Sequence, residues 1–308
     1  MGKSFFCRRI LSKDLDDFLH SLLGSLDRLD ASLCRGSVSL RWFVEVMNFL
    51  EGMQIELLSL LKKYKPPGGR AQETYLKQYM WDTVALLDFW NLLKLAISRF
   101  DRRRLMVDIL IQKQKHAIIP KTIEFNISSI ESKSNLLVRM MVEAIKLGNR
   151  FPAKGRNKND ETITVTLLAA KSTMVVITTL LISTMASPVS IELGACDLPL
   201  LFPQLNQLVE KLSTLARSFQ ERISGALKGS GSVLVEQEKV QKAMMEIGTQ
   251  VEEGEVDEKT FLRSMELLRI ASIELREGTE KFDAALDKVF DVVMRSRNEM
   301  LALLRDWA

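Results

Sequence analysis

Leu15, Leu19, Leu22, Leu26, Leu29 and Leu33 recur at spacings of four and three, which sets one leucine stripe along a single helical face. A second run, Leu40, Phe43, Met47, Leu50, Leu57 and Leu61, keeps that rhythm and stops at Lys65-Pro66-Pro67-Gly68-Gly69, where proline and glycine cannot continue a helix. Over 71–104 the apolar residues fall into two stripes, Tyr79, Leu86, Phe89, Leu93 and Phe100 on one and Met80, Leu87, Trp90 and Ile97 on the other. That pattern predicts a helix packed on two sides. Residues 105–117 and 134–147 read as two further helices, and the alternation over 122–130 has the pattern of a short strand.

Polar breaks divide the chain. The segment RFPAKGRNKND opens a basic linker over 150–162, between an N-terminal helical half, 1–149, and a C-terminal helical half, 163–308. The two halves are expected to form one continuous bundle. A second loop-rich zone, 186–203, contains Pro188, Gly194, Pro199 and Pro203, and GALKGSGS over 225–232 reads as a hinge.

The longest regular pattern is at the C-terminus, where Phe261, Met265, Leu268, Ser272, Leu275, Thr279, Phe282, Leu286, Val289, Val293, Ser296, Met300 and Leu303 alternate by four and three. An apolar seven-residue repeat of this length predicts one helix of roughly 45 residues with a single seam facing partner helices. Ser272, Thr279 and Ser296 interrupt the seam and would weaken a self-sufficient dimeric coiled coil. Packing inside the chain's own bundle is therefore favoured over a homo- or hetero-oligomeric coiled coil. The fold class that follows is all-α, an elongated bundle of six to eight helices, with the first and last helices paired.

The central segment 172–191, STMVVITTLLISTMASPVSI, carries no charge and has the length of a bilayer span. Its apolar side chains, Met174, Val175, Val176, Ile177, Leu180, Leu181, Ile182 and Met185, with Ser172 at the start, suit either a membrane or a buried core. Lys171 would cost about 2.5–3.5 kcal/mol at mid-span, so a span must begin after it and then take in Pro188. The core reading is therefore favoured over the membrane one. A third option is peripheral contact, since Arg150, Lys154, Arg156 and Lys158 lie just upstream and would meet anionic lipid at about 1 kcal/mol each.

Composition narrows the function classes further. Net charge is +4 in 308 residues, too balanced for a dedicated nucleic-acid binder. Arg102, Arg103 and Arg104 read as a helix end, where basic side chains favour the dipole. Residues 236–287 hold 14 acidic against 7 basic positions, a polarity suited to a partner with a basic face or to a solvated surface. Cys7, Cys34 and Cys196 are scattered without a CxxC pair, which fits a reducing compartment. Arg8 and Arg9 interrupt any secretory signal, and Phe6 stands where a myristoylation motif wants Ser or Thr. His20 and His116 are the only histidines, there is no HExxH, EF-hand loop or GxxxxGK[ST], and no metal, cofactor or catalytic residue is expected.

The stretch VEEGEVDEKTFLRSMELLRIASIELREGTEKFDAALDKVFDVVMRSRNEMLALLRD resembles the C-terminus of the plant BYPASS family. The EEGE turn, the ELREGTEKFDAALDKVF centre and the RSRNEMLALLRD ending are similar to that family. So are WDTVALLDFWNLLKLAISRFDRRRL and the basic linker followed by a K-S-T-M apolar helix. The resemblance implies a plant protein without enzymatic activity that regulates growth and development, as in control of a root-to-shoot signal. It also implies a link to the exocyst through its Exo70 subunit, and a cytoplasmic, endoplasmic-reticulum or plasma-membrane location. The expectation is a helical protein-interaction module with no nucleic-acid partner; the alternative is a single-pass or peripherally anchored membrane protein.

Overall fold

The computed structural model describes residues 12–64, 70–114, 158–185, 203–229, 233–253 and 257–306. These form seven α-helices, and no strand occurs among the described residues: α1 (Lys13–Arg35), α2 (Leu40–Lys63), α3 (Arg70–Gln114), α4 (Lys158–Met185), α5 (Asn206–Gly229), α6 (Val235–Glu253) and α7 (Glu258–Asp306). A 3-10 turn, Pro203–Leu205, leads into α5. The all-α class and the long C-terminal helix are as the periodicity predicts. The 122–130 strand pattern and the 134–147 helix lie outside the described residues.

Each early helix starts where its chemistry says it should. Ser12 caps α1, its hydroxyl accepting from the Leu15 N–H at 3.3 Å, and Asp14 and Asp16 in the first turn favour the positive end of the dipole. The leucine stripe from Leu15 to Leu33 is buried throughout. Ser39 caps α2 in the same way through the Trp42 N–H.

Three boundaries differ from the sequence reading. α3 does not stop at Arg104 but continues to Gln114, so the tri-arginine run sits inside a helix and not at its end. Nothing between Arg70 and Gln114 is proline or glycine, and Arg104 is held along the helix by Asp108 at 2.8 Å and Asp101 at 3.7 Å. α4 begins at Lys158, so the end of the 150–162 linker is helical, with acidic Glu161 in the first turn. α5 runs through Gly225 to Gly229, which places the break after that point; a glycine in a helix costs about 1 kcal/mol relative to alanine and does not end it.

Two long helices set the length of the molecule: α3, 45 residues, and α7, 49 residues, span about 68 and 74 Å at 1.5 Å per residue. They run antiparallel. Arg297 reaches the Met80 carbonyl near one end, Lys94 pairs with Asp287 in the middle, and Ser272 meets Asp108 near the other end. α2 lies parallel to α7, from Leu40 beside Gly278 to Lys62 paired with Glu299, and α6 folds back antiparallel on the first part of α7. The first helix packs on α5, α2 and α4, not on α7. The expected pairing of first and last helices is thus replaced by α7 against α2, α3 and α6. The one apolar face of α1, its leucine stripe, is already taken up by α5, α2 and α4.

α7 approaches α2 tightly at Gly278. A Cβ there would lie 2.8 Å from Leu40 Cδ1 and 3.1 Å from Leu40 Cβ. Gly278→Val should therefore force the two helices apart and cost about 1–3 kcal/mol, read as a lowered urea midpoint. An unchanged midpoint would mean that the helices are not in contact at this level.

Candidate functional site

The C-terminal seam is spent within the chain. Leu268, Leu275, Phe282, Leu286, Val289, Val293 and Met300 are buried, and Phe261, Met265 and Leu303 are partly buried and packed on the same core. The three small polar interruptions are buried as well, and two have visible partners. Ser272 donates to Asp108 Oδ1 of α3 at 2.7 Å, and Thr279 donates to its own Leu275 carbonyl at 2.7 Å. Ser296 faces Tyr79, whose phenol is pushed up to about 12, chiefly by burial, with Ser296 and Arg297 pulling the other way.

The apolar segment is the centre of the bundle. Met174, Val176, Ile177, Leu180, Leu181 and Ile182 are buried, Ser172 and Val175 are partly so, and the Met185 side chain lies outside the described residues. α4 packs on α1, α2, α3 and α5. Its many hydroxyls are tied back to the helix itself: Thr166 to the Thr162 carbonyl, Thr173 to Ala169, Thr179 to Val175 and Ser183 to Thr179, all at 2.8–2.9 Å. Such back-bonding removes the polar penalty of Ser and Thr without any outside partner, which is why the segment reads equally well as core or as membrane.

Lys171 interrupts this apolar helix and is itself only 2% exposed. Its ammonium donates to Asp82 Oδ1 of α3 at 3.0 Å, and Gln78 Nε2 donates to the same oxygen at 2.8 Å. One turn away, Arg297 of α7 donates to the Met80 carbonyl at 2.7 Å and to Thr83 Oγ1 at 2.8 Å. Four side chains of α3 and α4 and one of α7 thus make a polar layer through the core. Sequence reading found Lys171 as an obstacle to a span but missed its partner; the only signal was a lone lysine in an apolar run.

A second carboxylate, half-buried, holds the starts of α2 and α6 together. Glu236 accepts from the Leu40 N–H through both oxygens, at 3.1 and 3.2 Å, so α2 has a cap from 196 residues away. Burial raises the Glu236 carboxyl above the ordinary range, outweighing the backbone hydrogen bonds that lower it. A carboxyl raised on folding adds stability that is complete below its unfolded value of 4.5 and is lost as pH climbs through the folded one. Glu236→Gln should therefore gain on the wild type as pH rises from about 4 to 7, measured as the difference in urea midpoints. A difference that stays flat over that range would contradict the burial.

Of the remaining candidates, Arg150, Lys154 and Arg156 lie outside the described residues, as do His116, Cys7 and Cys196; Lys158 begins α4, and nothing is described of its side chain. His20 is exposed, and Cys34 is an exposed free thiol. An open groove of about 680 Å³ lies between the end of α1 and the start of α2, lined by Asp27, Arg28, Arg35, Arg41, Trp42 and Glu45. Its arginines are engaged locally: Arg28 with Ser25, Arg35 with the Ala31 carbonyl and Arg41 with Glu45. Among the described residues no group of three His, Cys, Asp or Glu side chains is placed to hold a metal ion.

Among the exposed apolar side chains, two groups stand out. On α3, Trp81, Val84, Leu95, Leu105, Met106 and Ile109 are exposed; on α6 and α7, Met245, Leu262, Leu267 and Ile270 are. Comparison with protein-family models, curated proteins and solved structures gives no match to this chain.

Proposed function

We propose that this chain is a non-enzymatic helical interaction module that binds a protein partner through the outer surface of its bundle. The observation that supports the reading most is the division of labour on α7. Its heptad seam is consumed by α2, α3 and α6, whereas Leu262, Leu267 and Ile270 on its other sides are 43–60% exposed, beside Met245 of α6 at 64%. These side chains sit in the acidic stretch 236–287, so the partner that fits has a basic face with apolar anchors. The resemblance to the BYPASS family supports a role in plant growth regulation such as root-to-shoot signalling, in the cytoplasm at or near the endoplasmic reticulum or plasma membrane. It makes the Exo70 subunit of the exocyst the first partner to test.

The test is affinity capture from plant extract in mild salt, with the wild type and with Leu267→Glu/Ile270→Glu. A stoichiometric partner held by the wild type, lost by the variant and weakened as salt rises is the expected result. No stoichiometric partner, or one indifferent to the variant, overturns the reading.

A second reading anchors the protein in a membrane through the central segment. It is favoured by Glu161–Thr184, whose mean hydropathy of 1.9 and 24 residues suffice to cross a bilayer. It requires α4 to leave the bundle, where 83% of its most apolar stretch is buried. Alkaline carbonate separates the two: release into the supernatant supports the core helix, and retention in the pellet supports the anchor.

A further inference from the structure

We propose that two copies of this chain pair through the outer stripe of α3, antiparallel, about a two-fold axis at Leu95. The stripe follows an alternating three–four spacing at positions 81, 84, 88, 91, 95, 98, 102, 105 and 109, which keeps all nine on one side of the helix. Val84, Leu95, Leu105 and Ile109 on it are 38–50% exposed, and neighbouring Met106 is 61% exposed and Trp81 58%. The remaining positions are Asp88, Asn91, Ser98 and Arg102.

The order of these residues is self-complementary about Leu95. Asp88 and Arg102 both lie seven residues from it, Val84 and Met106 eleven, and Trp81 and Ile109 fourteen. With Leu95 on the axis, Asp88 of one copy is level with Arg102 of the other, twice over, while Val84 meets the level of Met106 and Trp81 that of Ile109. A two-fold contact requires this kind of match of a surface with its own reverse. Parallel pairing in register would set Asp88 beside Asp88 and Arg102 beside Arg102, and like charges across an interface select against it.

Asp88 and Arg102 are exposed, and neither enters an ion pair among the described residues; Arg104, not Arg102, takes Asp101 and Asp108. The contact has a modest size. The stripe from Trp81 to Ile109 extends about 42 Å, and one helix laid on another over that length falls at the low end of specific interfaces, below about 1,200 Å². The dimer is therefore weak and reversible, forming at micromolar concentration. It uses a face other than the α6–α7 surface, so its failure leaves the partner-binding reading standing, and the reverse also holds.

The experiment is sedimentation equilibrium of the full chain from about 1 to 200 µM, with charge variants at the two matched positions. Asp88→Arg alone and Arg102→Asp alone each bring like charges level and should weaken the dimer at least about tenfold; Asp88→Arg/Arg102→Asp together should restore it to within about threefold of wild type. Leu95→Glu, which opposes two carboxylates at the axis, should leave only monomer. All three positions carry exposed side chains, so the fold is retained, and unchanged helical circular dichroism checks this. A chain monomeric across the range, a dimer indifferent to the single variants, or a double variant weaker than either single overturns the proposal.

Discussion

Lys171→Met should lower the stability of the bundle by about 3–5 kcal/mol, seen as a large drop in urea midpoint with the helical signal retained in water. The ammonium it removes is 2% exposed and lies 3.0 Å from Asp82 Oδ1, whose side chain is 10% exposed. Without it the Asp82 carboxylate stays buried with its counter-charge gone, and the hydrogen bond from Gln78 offsets only part of that desolvation. Lys171→Met/Asp82→Leu removes both charges and should regain most of the loss, since a buried pair replaced by apolar groups is often neutral. The contrast between single and double variants is the point of the experiment. If the single variant is as mild as the double, the pair is not buried.

The same pair bears on how α4 finds its place. Between Glu161 and Met185 the helix has only one charged residue, and its described side chains are buried on nearly every side, so apolar burial alone does little to fix its rotation about its axis. Lys171 names one direction, toward Asp82. We expect the double variant to keep its stability while its amide NMR spectrum broadens, because a wholly apolar α4 can settle at more than one rotation; a spectrum as sharp as the wild type's would remove this role from the pair.

What could be read from the sequence was whatever is written on one face of one helix. The leucine stripe of α1, the repeat of α2 and the seam of α7 each declare a buried side by period alone. The partners of those sides are a different matter. Asp82 and Lys171 are 89 residues apart, and Glu236 and Leu40 196 apart, so nothing local marks them as neighbours. The tri-arginine run misled for a related reason. Basic residues suit both a helix end and a mid-helix ladder to Asp101 and Asp108, and composition does not choose between these; the lack of any glycine or proline through Gln114 does. Nor does an apolar face name the neighbour that will cover it: the seam of α7 is shared among α2, α3 and α6, of 24, 45 and 19 residues, and length does not single these out from α1.

Phe282→Ala should cost about as much as the broken ion pair, about 3–5 kcal/mol, and the loss should not depend on protein concentration. Phe282 is fully buried, with its ring centroid 5.3 Å from that of Phe43 on α2. Phe43 lies 5.6 Å from Trp42, and Trp42 lies 5.4 Å from Phe219 on α5, so one contiguous aromatic row joins α7, α2 and α5. Truncation at its end removes a ring and leaves a cavity in that row, both of which destabilise. Leu267 on the same helix is 47% exposed, and Leu267→Ala should change stability by only about 0.5 kcal/mol. Should Phe282→Ala prove too unstable to study, Phe282→Leu keeps most of the volume and gives the same comparison at smaller size. The decisive reading is the midpoint at two concentrations about tenfold apart: a seam buried inside one chain gives the same loss at both, whereas a seam shared between chains gives a larger loss in the dilute sample.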